Sequence, residues 1–138
     1  MDDSNCIFCK MVKGQIPVTK VYEDELILAF LDIAPLSDGH TLVIPKQHFG
    51  QVHDCPVETL GQVGLRLGKV AKAVAAAMNA DGYNILCNNG RAAGQLVEHL
   101  HFHIVPRHSG DGIFDRWPSY SYPEGRLAEV AAKISENL

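Results

Sequence analysis

Apolar and polar positions alternate in short bursts over the first third of the chain and then settle, once, into a long rhythm of three- and four-residue steps. Extended segments are expected over residues 18–23, 26–32 and 40–44, with Pro35 and Gly39 in the connecting loops. A short helix over 7–13, stopped by Gly14 and Pro17, precedes them. From residue 57 to 78, Leu60, Val63, Leu67, Val70, Val74 and Met78 mark one face of a long helix, with Pro56 and Glu58 near its start and Asn79 and Gly82 near its end. Gly61, Gly64 and Gly68 form a separate small-residue stripe that lowers helix propensity and lets another backbone come close, which points to packing against a second subunit. Strands are expected over 83–88 and 98–105, a small-residue loop over 90–94, and a closing helix over 124–138. Short connections favour antiparallel pairing, so the pattern predicts an α+β fold: a mainly antiparallel five-stranded sheet, one long helix and a C-terminal helix. No repeat, biased tract or linker divides residues 1–138, which are expected to form a single domain.

A chain of 138 residues can bury a core without staples. Its formal charge of −4 and pI near 5.9 offer no basic field, and Lys and Arg are scattered, so nucleic acid is not an expected partner. The opening residues 1–5 are acidic and polar where a secretory signal would be basic and then apolar, and no apolar run approaches the ~20 residues that span a bilayer. No membrane association and a cytoplasmic location are therefore expected. Of the four cysteines, Cys6 and Cys9 are a C-x-x-C pair and Cys55 and Cys87 stand alone, which favours reduced thiols over disulfides.

The chemistry concentrates in Glu98-His99-Leu100-His101-Phe102-His103-Ile104-Val105. In an extended strand the three imidazoles share one face while Leu100, Phe102 and Ile104 enter a core. Imidazoles two residues apart lie roughly 6–7 Å from each other and repel when protonated, so such a face needs a reason. Three accounts stand on the residues alone: hydrogen-bonded structural histidines, a metal site, or nucleophilic chemistry centred on His101. The Cys6/Cys9 spacing likewise leaves metal binding and redox chemistry open.

Residues 94–105 resemble the His-φ-His-φ-His-φ-φ signature (φ apolar) of the histidine triad nucleotide-binding proteins, a family of nucleoside phosphoramidases and nucleotidyl hydrolases. Cys6-Ile7-Phe8-Cys9-Lys10, Phe30-Leu31-Asp32-Ile33-Ala34-Pro35, residues 39–48, and Asn88 with Gly90 resemble the same family, so the likeness runs from Cys6 to about Gly112. It implies that His101 attacks the α-phosphorus of a nucleotide, its tautomer fixed by the main-chain carbonyl of His99, to give a nucleotidyl-histidine that water hydrolyses. It also implies that His103 and the amide of Gln95 contact phosphate oxygens, with Asn88 beside them. Asp32 then meets the ribose, His40 orients or buffers the site, and Phe8, Ile16, Phe30 and Leu31 form a slot for a purine base. The catalytic set is thus His99, His101, His103 and His40. A zinc-containing bacterial subset implies a structural zinc on Cys6, Cys9, His48 and His99, no organic cofactor, and a homodimer.

One position departs from the pattern. Many phosphoramidase relatives carry serine or threonine after the glutamine; here Leu96 stands there and has no hydroxyl to pass a proton to a leaving group. Pro106-Arg107 and Gly110-Asp111 resemble the dinucleoside polyphosphate hydrolase branch instead. The rival functions are therefore a dinucleoside polyphosphate hydrolase, a nucleotide-responsive regulatory protein, and a metal enzyme with all three triad histidines on one ion. Trp117, Tyr120 and Tyr122 are expected to pack, and His53 and His108 carry no assigned role.

Overall fold

A strand that is apolar at every position needs cover on both of its faces, and Ile27–Leu31, Ile-Leu-Ala-Phe-Leu, is such a strand. The computed structural model describes residues 4–138; Met1, Asp2 and Asp3, part of the acidic opening stretch, lie outside the described residues. In chain order the elements are α1 (Ile7–Val12), β1 (Lys20–Glu23), β2 (Ile27–Leu31), β3 (Thr41–Pro45), α2 (Val57–Ala77), β4 (Gly82–Leu86), β5 (Phe102–Arg107) and α3 (Arg126–Ser135), with single 3₁₀ turns at Val52–Asp54 and Arg91–Ala93. The strands form one five-stranded antiparallel sheet in the order β1-β2-β3-β5-β4.

Alternation along β2 separates two cores. Ile27 and Ala29, with Val43 and Ile104, receive Val63, Leu67, Val70, Ala71 and Val74 from one face of α2. Leu28 and Phe30, with Leu42 and Ile44, receive Cys6, Phe8 and Cys9 from α1 and its cap. The short first helix is therefore the lid of the sheet's second face, and it arrives carrying both C-x-x-C thiols. Among the described residues, no helix is long and apolar enough to cross a membrane.

Two expectations need correction. The strand expected over 98–105 begins only at Phe102 and runs on to Arg107, so His99 and His101 precede it. Its neighbour β3 stops at Pro45, and the Pro45 carbonyl is taken by the His99 ring while the Leu100 N–H goes to the Phe49 carbonyl at 2.6 Å. The ladder therefore has no partner left for residues 99–101. Gly61, Gly64 and Gly68, expected to meet a second subunit, lie open on this chain, where a Cβ placed on any of them would meet nothing within 4 Å. Trp117 and Tyr120 enter no core of this chain: they are 81% and 79% exposed, with Tyr120 against Tyr122 at 5.6 Å between ring centroids, on a segment where Pro118 and Pro123 lack the N–H needed to join a ladder.

Candidate active site and metal centre

The backbone decides which nitrogen each histidine offers. His99 Nε2 lies 2.8 Å from the Pro45 carbonyl. A carbonyl only accepts, so Nε2 carries the hydrogen and the His99 lone pair sits on Nδ1. That atom is 3.4 Å from Cys6 Sγ, 3.6 Å from Cys9 Sγ and 3.2 Å from His48 Nδ1, and Cys9 Sγ is 3.4 Å from His48 Nδ1. Zinc bonds of ~2.3 Å to sulfur and ~2.0–2.1 Å to nitrogen, at tetrahedral angles, put S···N at about 3.6 Å and N···N at about 3.3 Å. Two thiols and two imidazoles at this spacing fit a closed, four-ligand zinc site, and the hydrogen bond to Pro45 supplies the outer partner that fixes a ligating imidazole. Cys6 caps α1, its Sγ accepting from Cys9 N at 3.4 Å, so one helical turn delivers both sulfurs. Burial, with the neighbouring His48 and His101, pushes His99 down to about 4 and so keeps its lone pair available at neutral pH.

His101 takes the opposite tautomer. Its Nδ1 lies 2.6 Å from the His99 carbonyl, so Nδ1 carries the hydrogen and Nε2 holds the lone pair. The ring is buried and meets Phe8 edge-on at 5.2 Å. Burial lowers its affinity for a proton, against the opposing effects of the His99 carbonyl and the Asp32 carboxylate. A neutral imidazole with a fixed free nitrogen is what a nitrogen nucleophile requires.

His40 and His103 form a relay that starts in a loop. The Leu36 N–H donates to His40 Nδ1 at 3.0 Å, which leaves the hydrogen on His40 Nε2, 2.9 Å from His103 Nδ1. His40 Nε2 donates there, and His103 Nε2 must carry a hydrogen of its own. His103 lines the cleft, so it offers a donor suited to a phosphate oxygen. Burial and the neighbouring His101 and His40 hold it at about 4, and burial also lowers His40 against the pull of Asp32. Asp32, His40 and His103 are close enough to suggest a second cation site, but His40 Nε2 is committed as a donor and the set does not suit a metal. The three triad histidines therefore do not converge on one ion: His99 groups with the thiols, His103 with Asp32 and His40, and His101 with neither.

The cleft in front of His101 and His103 has a volume of 360 Å³. Phe8, Ile16, Phe30 and Leu31 all line it, as do Asp32 and Asn88. Asp32 turns one oxygen back to Ala34 N at 2.9 Å and leaves the other 3.7 Å from His40 Nε2. Asn88 Nδ2 lies 3.5 Å from the carbonyl of Gly94, a residue held at φ 91° that packs against the asparagine side chain. Gln95 is buried and faces elsewhere: its Oε1 accepts from Gly90 N and its Nε2 donates to the Gly50 carbonyl, both at 2.8 Å. It braces the 90–94 loop, and its side chain is not part of the cleft wall. The groups that sequence reasoning missed are the Leu36 N–H and the Pro45 carbonyl, which have no side-chain signature, and Asn89, whose Oδ1 receives Val52 N at 2.8 Å.

Comparison with known proteins adds an independent finding. The family model described as the HIT domain matches residues 13–110. The chain is 44% identical over 135 residues to a protein named adenosine 5′-monophosphoramidase from Schizosaccharomyces pombe, covering 97% of this chain and 98% of that one. A crystal structure of a HIT family member from Bacillus subtilis superposes with a TM-score of 0.91 at 43% identity, covering 98% of each chain. A zinc-bound histidine triad protein from Mycobacterium smegmatis gives a TM-score of 0.76 at 40% identity, with 97% of this chain and 98% of that one covered.

Proposed function

The chain belongs to the HIT family, and from that membership we propose that it is a hydrolase that cleaves nucleoside monophosphate derivatives at the α-phosphorus through a covalent intermediate on His101. The observation that carries this is the 2.6 Å contact from His101 Nδ1 to the His99 carbonyl, which leaves Nε2 as a nucleophile at a cleft of nucleotide size. The lone pair of Nε2 forms a bond to phosphorus and the bond to the leaving nitrogen breaks; that nitrogen keeps the electron pair and takes its proton from water. The His99 carbonyl stabilises the positive charge that His101 gains, and His103 Nε2–H stabilises charge on a phosphoryl oxygen. Attack by a second water then returns His101 and releases the nucleoside monophosphate.

The rest of the site follows. The apolar wall of Phe8, Ile16, Phe30 and Leu31 takes the base, a purine for its larger stacking face, and Asp32 accepts from the ribose hydroxyls. Zinc on Cys6, Cys9, His48 and His99 supplies structural cross-linking when bound. The protein acts as a homodimer, for which α2 and the edge strand β4 are suited. Leu65 is 70% exposed on α2 beside the open glycine stripe, and Tyr83 and Ile85 are exposed on a strand with one unpaired edge. The four cysteines form no disulfide with one another, which suits a reducing location, the cytoplasm.

The test is intact-protein mass after acid-free rapid quenching with an adenosine phosphoramidate. A transient nucleotidyl adduct is expected on the native chain, mapped to His101, and absent from His101→Ala and His101→Gly. Turnover without any adduct would favour direct attack by water. Nucleotide binding without turnover would favour a regulatory protein.

A further inference from the structure

A strand that outruns its neighbour leaves carbonyls that some other group must take. The register that sets Thr41 against Ile104 and Leu42 against His103 would bring Gly39 opposite Pro106, but β3 begins only at Thr41 and Gly39 turns away at φ 87°. The Arg107 carbonyl accepts from Asp81 N on the β4 side, so the Pro106 carbonyl, one residue earlier, faces the missing end of β3. Pro106 is fully buried, and its carbonyl needs a partner from the protein. Ser37 supplies it: its hydroxyl donates to the Pro106 carbonyl at 2.8 Å.

We propose that Ser37 is a positioning residue of the site: by tying the 33–39 loop to β5 it fixes the tautomer of His40 and, through it, the hydrogen that His103 turns to the phosphate; the inference rests on the hydrolase function proposed above. Among the described residues, this is the one hydrogen bond from that loop to β5, the strand that carries His103. Ser37 also holds the neighbouring histidine, since His40 N donates to the Ser37 carbonyl at 3.1 Å. One residue before it, the Leu36 N–H donates to His40 Nδ1 at 3.0 Å. A shift of Ser37 therefore moves the donor away from the ring that it fixes. Without that donor either nitrogen of His40 can carry the hydrogen. With the hydrogen on Nδ1, His40 Nε2 becomes an acceptor 2.9 Å from His103 Nδ1, which must then carry the His103 hydrogen itself. Each ring keeps one hydrogen, exchanged through water, but His103 now turns a lone pair to the cleft. Charge on a phosphoryl oxygen meets a donor in the first arrangement and a repelling lone pair in the second. Ser37 does not line the cleft and acts only through its neighbours.

The test reads the ring-nitrogen NMR shifts of the full chain, labelled in its histidines, for Ser37→Ala and Ser37→Thr, beside kcat/KM for an adenosine phosphoramidate. Loss of the bond to a buried carbonyl lowers the melting temperature on any account, so stability does not decide. In the native chain His103 is expected to show a protonated Nε2 and an unprotonated Nδ1. In Ser37→Ala the nitrogens of His40 and His103 are expected to move towards the mean of the two tautomers while those of His101 keep their shifts, and kcat/KM to fall about tenfold. Ser37→Thr keeps the hydroxyl and is expected to restore both shifts and rate. Native shifts at His103 in Ser37→Ala overturn the inference whatever the rate, and so do changes at His101 as large as those at His103, which mark a general loosening. Averaged tautomers with native kcat/KM overturn it too, as does a threonine variant no better than alanine. A native chain that turns over no phosphoramidate overturns the hydrolase instead, and the shifts still judge the tautomers.

Discussion

His99 and His103 are both held near 4, principally by burial, and both carry their hydrogen on Nε2, yet they present opposite ends to their surroundings. His99 spends its N–H on the Pro45 carbonyl and turns its lone pair to two thiols. His103 spends its lone pair on His40 and turns its N–H to the cleft. Between them His101 has the other tautomer and keeps a free Nε2. Identical side chains in one short run thus suit the three roles of the proposed function, zinc ligand, nucleophile and phosphate donor, and their tautomers are set by backbone groups from β3, the 33–39 loop and His99 itself.

Removing the nucleophile gives the sharpest separation of the two sides. His101→Asn is expected to lower kcat/KM by roughly 10⁴-fold, while zinc content measured by mass spectrometry stays at that of the native chain. The converse experiment strips the metal side. Chelation of the zinc-loaded protein, or Cys9→Ser, is expected to cost on the order of 4 kcal/mol of unfolding free energy at a thousandfold excess of metal over its Kd, read from melting curves. Turnover per folded molecule changes far less. A metal enzyme would reverse that ranking and lose its chemistry at once.

Gly39 tests the relay from behind. It sits at φ 87°, and a Cβ there would lie 2.6 Å from Met78 Cγ. Gly39→Ala is expected to destabilise by about 2 kcal/mol and to shift His40, weakening phosphate binding as a raised KM with zinc retained. The remaining difference is one of pH. An unfolded His103 binds its proton near the ordinary value of 6.5 and the native one near 4, so between these values the unfolded chain holds more protons. The contribution of His103 is complete above about 6.5 and fades as the pH falls towards 4. His103→Asn is expected to flatten that part of the melting-temperature profile.

Most of the fold was legible because β2 and α2 carry unambiguous periods: five consecutive apolar residues in one, and three- and four-residue steps in the other. The histidine strand was placed four residues early at its start because its alternation continues through residues 99–101, where the ladder does not. Alternation reports which way side chains point, whereas pairing depends on a partner, and β3 had already ended at Pro45. The site residues stood out as side chains, and the zinc set was suggested by resemblance to a bacterial subset. Their division of labour was implied by the same resemblance and not by the residues themselves: the Leu36 N–H and the Pro45 carbonyl, which set two of the tautomers, are groups that every other leucine and proline also has. Trp117 and Tyr120 misled for a related reason, since aromatic content signals burial only where the backbone can reach a core.

The contact between Cys6 and His99 joins residues 93 apart in sequence. Closing a loop of that length costs about 4 kcal/mol in chain entropy. Cys6 meets His99 only when the residues just before β5 are in place, whereas the apolar partners of Cys6, Phe8 and Cys9 lie on β2 and β3. The first helix therefore finds its apolar partners within the first 45 residues, and the contact with His99 ties that unit to the far end of the chain. The apolar wall of the cleft thus comes from the start of the chain and its histidines from the far end, so a chain that stops before residue 99 has the wall without His99, His101 and His103.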